Sequence, residues 1–328
     1  MKHICHDYEM FLDDVLNSFA EQSATVEYNE LLIANSFANE VRAGRQTYEN
    51  VDLCNPERYN KFIKFVIGRN SKNYLMDSFV SESYKNVIML TAGVLNSIFG
   101  DDSKIIDEFG EFLSYIDFTN SREVLDGYCY QLTDTRDGGK YYQVTIPTLE
   151  NISAIVCLIH EFIHFHLQKN NIEPRKFYYG EILSILFEKI AADYIQNIRL
   201  DLQMVHKMEN VRIDTIKYHY TEKKDDIREM KELTQNVDPR YFEFSKRLYT
   251  EHKAYYTLLA QSYGIGYLYA ESLFCLYQEN PQQFKQTLRE VLYGEKFLQE
   301  VLDYHNINAD NKDVYETAKK KIRLMTKI

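Results

Sequence analysis

The sequence predicts a mainly α-helical protein. Glycine and proline are scarce, with 12 and 5 among 328 residues, which favours long helices over tight turns. Apolar residues recur at intervals of three and four, as in the stretches Tyr8–Phe19 and Val87–Phe99. Residues 126–147 depart from this pattern, because apolar and polar residues alternate on both sides of a turn at Arg136–Lys140. That alternation predicts a small β-hairpin.

Composition narrows the class of protein. The length fits one large domain or two lobes, and 45% hydrophobic residues indicate an ordered globular chain. A net charge of −11 without a basic stripe argues against nucleic acid as a partner. No apolar run is long enough for a membrane span and the N-terminus lacks an apolar signal region, so we expect no membrane partner. Five scattered cysteines without a CxxC pair predict reduced thiols in a cytoplasmic protein.

The pattern His160-Glu161-Phe162-Ile163-His164 is the strongest indication of function in the sequence. At about 3.6 residues per turn, His160 and His164 project from one helix face and can hold one metal ion. Glu161 can reach a metal-bound water without binding the metal, an arrangement typical of zinc metalloproteases. The alternative is a pair of histidines hydrogen-bonded in a helical core. Burying these side chains together without a metal is costly, which favours the metal interpretation.

A second predicted helix, residues 180–194, carries two carboxylates among apolar residues. Glu181, Ser184 and Glu188 share one face of it. A catalytic zinc takes three protein ligands and a water, and two histidines with one glutamate form one of the standard sets. Spacing alone does not choose between Glu181 and Glu188 as the third ligand.

Two later segments have unusual compositions, one rich in charged residues and the other rich in tyrosine. Residues 200–236 are rich in charges of both signs, which predicts a solvated helix face. Residues 252–271 form a predicted helix with many tyrosines and with glycines at Gly264 and Gly266. A tyrosine hydroxyl near a zinc ion can donate a hydrogen bond to a developing oxyanion. Ordinary aromatic packing is the alternative, and we expect it for most of these tyrosines.

Three stretches of the chain resemble the oligoendopeptidase F and thimet oligopeptidase family of zinc metallopeptidases, over residues from about 125 to 310. They are Tyr141–His164, Gly180–Glu188, and Tyr255–Gly266 together with Tyr293-Gly-Glu and Leu302–Ile307. The resemblance implies a zincin-like, helical, bilobed fold with a deep cleft. It places an N-terminal helical lobe at residues 1–124 and a catalytic domain at residues 125–328, with the hairpin beside the metal helix.

The same resemblance assigns roles to single residues. In the matching family segment, the glutamate ligand precedes a serine by three positions and a second glutamate by seven. This implies that Glu181 is the third ligand of one zinc ion per chain and that Glu188 is its supporting acid. Tyr263 becomes the first candidate to contact the substrate or the oxyanion. Tyr256 and His252 are weaker candidates for substrate binding.

The chain also departs from the family pattern. Ile163 occupies a position where the family usually has glycine, and Leu167 stands where the family has a further histidine. The chain is shorter than the family's members, so its N-terminal lobe must be reduced. These differences concern the size of the substrate and the shape of the channel more than the metal.

The predicted function is zinc-dependent hydrolysis of peptide bonds in short peptides, with Glu161 as general base for a zinc-bound water. The hairpin can add an extended peptide to its edge strand, or it can serve as a structural flap. Two other functions stay open at this point: a non-catalytic metal- or peptide-binding protein, and a zinc hydrolase of a non-peptide amide. A third alternative keeps the peptidase and uses Glu188 as the ligand. The sequence does not determine the oligomeric state.

Overall fold

The computed structural model describes residues 56–69, 83–100, 102–116, 127–133, 140–146, 154–172, 178–199, 203–221 and 242–326. For residues 178–179, 221 and 242–259 and for several strand positions it describes the backbone alone. The elements within these ranges are α1 (Pro56–Ile67), α2 (Tyr84–Phe99), α3 (Ser103–Ser114), β1 (Tyr128–Thr133), β2 (Lys140–Thr145), α4 (Ala154–Lys169), α5 (Tyr178–Ile198), α6 (Met204–Thr221), α7 (Phe242–Glu279), α8 (Pro281–Leu292), α9 (Leu298–Tyr304) and α10 (Lys312–Met325). The predicted mainly helical fold is confirmed.

The chain divides into two compact units. One comprises residues 1–52, 175–177 and 217–261, and the other comprises residues 53–174, 178–216 and 262–328. Helices α1 to α3, which the sequence analysis places in an N-terminal lobe, belong to the second unit together with α4. The expected boundary near residue 124 lies outside the described residues and stays a prediction. Within the described ranges, no helix has the length and apolar character needed to cross a bilayer.

Helix α4, which carries the His-Glu-x-x-His pattern, lies in the core of the second unit. It packs against α2, α3, α5 and β1, and apolar side chains cover most of its circumference. Phe162 makes edge-to-face contacts with Phe109 and Phe112 of α3, with ring centroids 5.3 and 5.7 Å apart. A helix that is apolar on nearly all sides is stable only when buried. This burial places the polar residues of the motif inside the protein.

The two strands pair in antiparallel register beside α4, with Tyr128 opposite Thr145 and Thr133 opposite Lys140. Alternate residues of β2 and the residue after it, Tyr142, Val144 and Ile146, are buried, as a period of two requires. Gln168 of α4 donates a hydrogen bond to the carbonyl of Cys129. The turn that would complete the predicted hairpin, residues 134–139, lies outside the described residues.

His166 fastens the far side of α4 to two other helices. Its Nδ1 lies 2.6 Å from Oε2 of Glu108 in α3, and its Nε2 lies 2.8 Å from the carbonyl oxygen of Leu292 in α8. The side chain is fully buried. Asn170, the residue after the end of α4, donates to the same Glu108 carboxylate. The carboxylate and the carbonyl are both hydrogen-bond acceptors, so the ring is held from both sides.

We expect Glu108→Gln to lower the free energy of unfolding by about 1–3 kcal/mol near neutral pH, because it removes the charge that accepts from His166. Burial would raise the pKa of Glu108, but hydrogen bonds and charge from His166, with Asn170 and Lys169, hold it below its ordinary 4.5. Such a carboxylate stabilises the fold above pH 4.5, and the stabilisation is lost as pH falls through the lowered pKa. Urea denaturation at several pH values measures the difference.

The control for this variant is Glu111→Gln, the same change on the same helix. Glu111 pairs with Lys169 at a site where 40% of the Glu111 side chain is exposed. An exposed ion pair contributes little, so we expect less than about 1 kcal/mol. Equal stability losses in the two variants, or a Glu108→Gln effect that persists below the pKa of the wild-type carboxyl, would contradict the assignment.

Candidate metal centre

The two histidines of the motif face each other one turn apart on α4. Their ring centroids are 4.8 Å apart, and the two Nε2 atoms are 3.1 Å apart. The His160 side chain is 6% exposed and the His164 side chain 19%, so the pair reaches solvent mainly on the His164 side. Two nitrogen lone pairs at this separation repel each other unless a proton or a cation lies between them. The pair is therefore suited to hold a cation.

Glu181 brings a carboxylate to the same point from the first turn of α5. Its Oε1 lies 3.5 Å from Nε2 of His164, and its Oε2 lies 3.6 Å from Nε2 of His160. One donor atom from each of the three residues falls within 4.8 Å of the others, so the group could hold a metal ion. Glu181 is the carboxylate of α5 that joins the histidines.

The spacing of these donors suits a small tetrahedral ion. A zinc ion at about 2.0–2.1 Å from each donor would hold its donors roughly 3.3 Å apart. The two Nε2 atoms are 3.1 Å apart, and each lies 3.5–3.6 Å from one of the two Glu181 oxygens, which is close to that value. Oε2 of Glu181 is also buried without a hydrogen-bond donor among the described residues. A buried carboxylate oxygen without a donor is costly, and a metal ion would satisfy it.

Glu188, two turns further along α5, contacts the opposite edge of His160. Its Oε1 lies 2.6 Å from Nδ1 of His160. A carboxylate can only accept, so Nδ1 carries the hydrogen and Nε2 directs its lone pair towards His164 and Glu181. Arg212 of α6 donates to the same carboxylate through Nε, at 3.0 Å, and through Nη2. Glu188 is thus occupied by a histidine and an arginine, away from the three donor atoms.

The local charges lower the pKa of both carboxylates of α5, Glu181 and Glu188. Burial alone would raise the pKa of Glu181, but a hydrogen bond with His164 and the charges of His164, His160 and Arg212 lower it to about 2. Burial opposes the ionised form of Glu188 too, yet Arg212 and His160 hold its pKa below the ordinary value. Both groups are therefore charged at neutral pH, as a metal ligand and its partner should be.

Glu161 is buried beside this group and is not one of its three donor residues. Desolvation raises its pKa above the ordinary value, and the charges of His160 and His164 only partly oppose the shift. The backbone at Gly127, just before β1, lies directly against it. A Cβ at Gly127 would lie 3.0 Å from Oε1 of Glu161 and 2.5 Å from Sγ of Cys157. Only glycine lets the chain pass this close to the carboxylate.

We therefore expect Gly127→Ala to destabilise the protein by about 1–3 kcal/mol through overpacking. The added methyl group overlaps Cys157 most strongly, so Cys157→Ala in the same chain should recover most of the loss. Thermal denaturation of the two single variants and the double variant gives the coupling energy between the sites. Additive effects of the two substitutions would mean that the contact with Cys157 is not the cause of the loss.

Tyr263 lies on α7, in the second unit, and its ring is 5.6 Å from the guanidinium carbon of Arg212. Gly266, three positions later, is one of two glycines in α7, and the close packing around it explains why a side chain is absent there. A Cβ there would lie 2.9 Å from Cδ1 of Ile185 and 3.1 Å from Cβ of Glu181. The missing side chain lets α7 pack closely against α5 at Glu181.

His252 and Tyr256 are the two weaker candidates of the sequence analysis. The backbone of His252 and Tyr256 belongs to α7, in the part of the chain that falls in the first unit. Their side chains lie outside the described residues, so their proposed contacts stay predictions.

The sequence analysis did not identify Arg212 as a site residue, because it predicted a solvated helix face for residues 200–236. That prediction is wrong for part of α6. Glu209, Asn210 and Arg212 are buried there, together with Met204, Met208, Ile213 and Ile216. The signal was the apolar spacing of those four residues, which places Glu209 and Arg212 on or beside the buried side of the helix. The most charged stretch, Glu222–Glu232, lies outside the described residues.

The chain is similar in structure to a crystal structure described as that of a "putative oligoendopeptidase F from Bacillus anthracis str. Ames", with a TM-score of 0.51 and 14% sequence identity. The match covers 98% of this chain and 65% of that one, so this chain spans less than two thirds of its neighbour's length. No family profile and no curated protein matches the sequence. At this identity the likeness shows a shared fold, which supports the resemblance at that level.

Proposed function

We propose that this protein is a zinc-dependent metallopeptidase that cleaves short peptides. One observation carries the proposal: His160, His164 and Glu181 direct three donor atoms to one point, and the buried carboxylate of Glu161 adjoins them on the same turn of α4. The fold shared with a protein described as an oligoendopeptidase supports the choice of peptides as substrate.

His160, His164 and Glu181 would hold the metal. Two imidazole nitrogens and a carboxylate oxygen form a donor set that is standard for catalytic zinc and leaves one position open. When bound, zinc supplies Lewis acidity, which lowers the pKa of water and polarises a carbonyl group. Glu188 accepts from Nδ1 of His160 and so keeps the Nε2 lone pair available.

Glu161 would act as the general base. Its carboxylate takes the proton of the attacking water and then delivers it to the nitrogen of the leaving amine. Desolvation raises the pKa of this carboxyl, which increases its affinity for the proton that it must hold between the two steps. Tyr263 is the candidate to donate a hydrogen bond to the substrate's oxyanion.

The outer edge of β1 would bind the peptide backbone. Val144 of β2 pairs with Cys129 on one side and forms a bridge with Ile116 on the other, so β1 is the outer strand of the described pair. This strand starts beside Gly127, which lies against Glu161. An extended peptide hydrogen-bonded to β1 would therefore run past the carboxylate.

A digest of a mixed peptide library, analysed by mass spectrometry, tests this proposal. The zinc-loaded protein and the metal-free protein are compared on the same library. We expect cleavage by the zinc-loaded form alone, with cut sites that report the length limit and side-chain preference. Zinc bound at one per chain without cleavage would instead favour a binding protein or a hydrolase of another amide.

A further inference from the structure

We propose that Arg212 is a positioning residue of the metal site, which acts on His160 through Glu188. This inference rests on the proposed role of His160 as a metal ligand and adds a residue from a third helix to the site. Arg212 reaches Glu188 with two nitrogens, Nε and Nη2, so its guanidinium fixes the plane of the carboxylate. The carboxylate in turn accepts from Nδ1 of His160.

Both oxygens of the Glu188 carboxylate accept hydrogen bonds, and Arg212 donates to each of them. Oε1 of Glu188 accepts from both Nδ1 of His160 and Nη2 of Arg212, while Oε2 accepts from Nε of Arg212. A glutamate side chain alone has three rotatable bonds, and one histidine contact does not fix its position. The planar fork of an arginine fixes position and rotation together. The ring of His160, and with it the direction of Nε2, then follows from the position of the guanidinium.

Helix α6 is itself held in register by a second buried group. Lys189, the neighbour of Glu188 on α5, pairs with Glu209 of α6 and lies 2.8 Å from Oε2 of Glu271 in α7. Tyr267 of α7 donates to Glu209 at 2.8 Å. Glu209 precedes Arg212 by about one turn of α6. The contacts of Glu209 with Lys189 and Tyr267 therefore fix where Arg212 lies along the axis of α5. Two adjacent residues of α5, one acidic and one basic, thus meet a basic and an acidic residue of α6.

Arg212 also contacts the tyrosine helix. Its guanidinium carbon lies 5.6 Å from the ring centre of Tyr263, a distance at which a cation attracts an aromatic ring. One side chain therefore touches both the carboxylate that orients a ligand and the tyrosine proposed to face the substrate. A residue that served only to fill space would need neither the fork nor the ring contact.

The affinity of the metal-free protein for zinc tests the inference, measured by competition with a chromogenic chelator. We expect Arg212→Met to weaken zinc binding by about 10–100-fold, the range for loss of a partner that orients a metal ligand. The matched control is Arg289→Met, the same change at a partly buried arginine of α8 that donates to the carbonyl of Ile98 in α2. Its zinc affinity should stay within about twofold of the wild type, since the ligand contacts are kept.

A second variant covers the case in which Arg212→Met fails to fold, as judged by circular dichroism. Arg212→Lys keeps the charge but not the fork, so it should fold and still bind zinc about 3–10-fold more weakly. Unchanged affinity in the Arg212 variants, or an equal loss in Arg289→Met, would overturn the inference in favour of a purely structural role.

The outcome separates this inference from the proposed function. Weaker zinc binding in the arginine variants supports it even if the wild type cleaves no peptide, in which case the peptidase proposal alone fails. A wild-type protein that binds no zinc overturns both.

Discussion

Glu161→Gln is expected to stop peptide cleavage and to keep the metal. Glutamine has the size and shape of glutamate but cannot take the proton from water, and removal of a general base lowers kcat by about 10²–10⁴-fold. The metal should stay, because Glu161 is not one of the three donor residues. Stopped assays on a fluorogenic peptide give kcat, and zinc content per chain gives the metal occupancy.

The matched control is Glu57→Gln, the same change at an exposed side chain of α1. It should leave both kcat and zinc content unchanged. Wild-type turnover by Glu161→Gln would remove the general-base assignment. Loss of zinc from that variant would mean that Glu161, and not only the donor group, holds the ion.

The second large effect is a contrast between the two glutamates of α5. Glu181→Ala should weaken zinc binding by more than about 100-fold, since it removes a ligand from a set of three. Glu188→Ala should weaken it less, within the range of about 10–100-fold typical of a residue that orients a ligand. Isothermal titration of the metal-free proteins with zinc measures both affinities.

Each variant is the control for the other, because both remove a buried carboxylate from one helix face. Thermal denaturation without metal corrects for the loss of stability. The reverse order of affinities would show that Glu188 is the ligand, the alternative that the spacing of the sequence left open.

The helical fold was predictable because its signals are local. The three-and-four spacing and the shortage of glycine and proline fix the type of element without any knowledge of its partners. The paired strands, Tyr128–Thr133 and Lys140–Thr145, also lie within the alternating stretch 126–147. Domain limits depend on contacts between distant segments, which periodicity does not contain. The assignment of α1 to α3 to the same unit as α4 belongs to this second kind of information.

The candidate site likewise has a part that follows from local sequence patterns and a part that depends on contacts between distant segments. The facing of His160 and His164 follows from their four-residue spacing on one helix. Glu181 and Glu188 share a face of α5, so only the position of α5 against α4 tells which one meets Nε2 and which meets Nδ1 of His160. Arg212 lies on a third helix, and its partner is 24 positions away in the sequence. No pattern within α6 names that partner.

The site is built from neighbouring parts of the chain, and this bears on how it forms. His160 and Glu188 are only 28 positions apart, and Glu181 lies between them along the sequence. Closing a loop of this size costs little entropy, and contacts between near neighbours form early in folding. We expect the α4–α5 pair to assemble among the first tertiary contacts. Zinc present at that stage would favour the native pairing by mass action, so metal supply and folding yield would be linked.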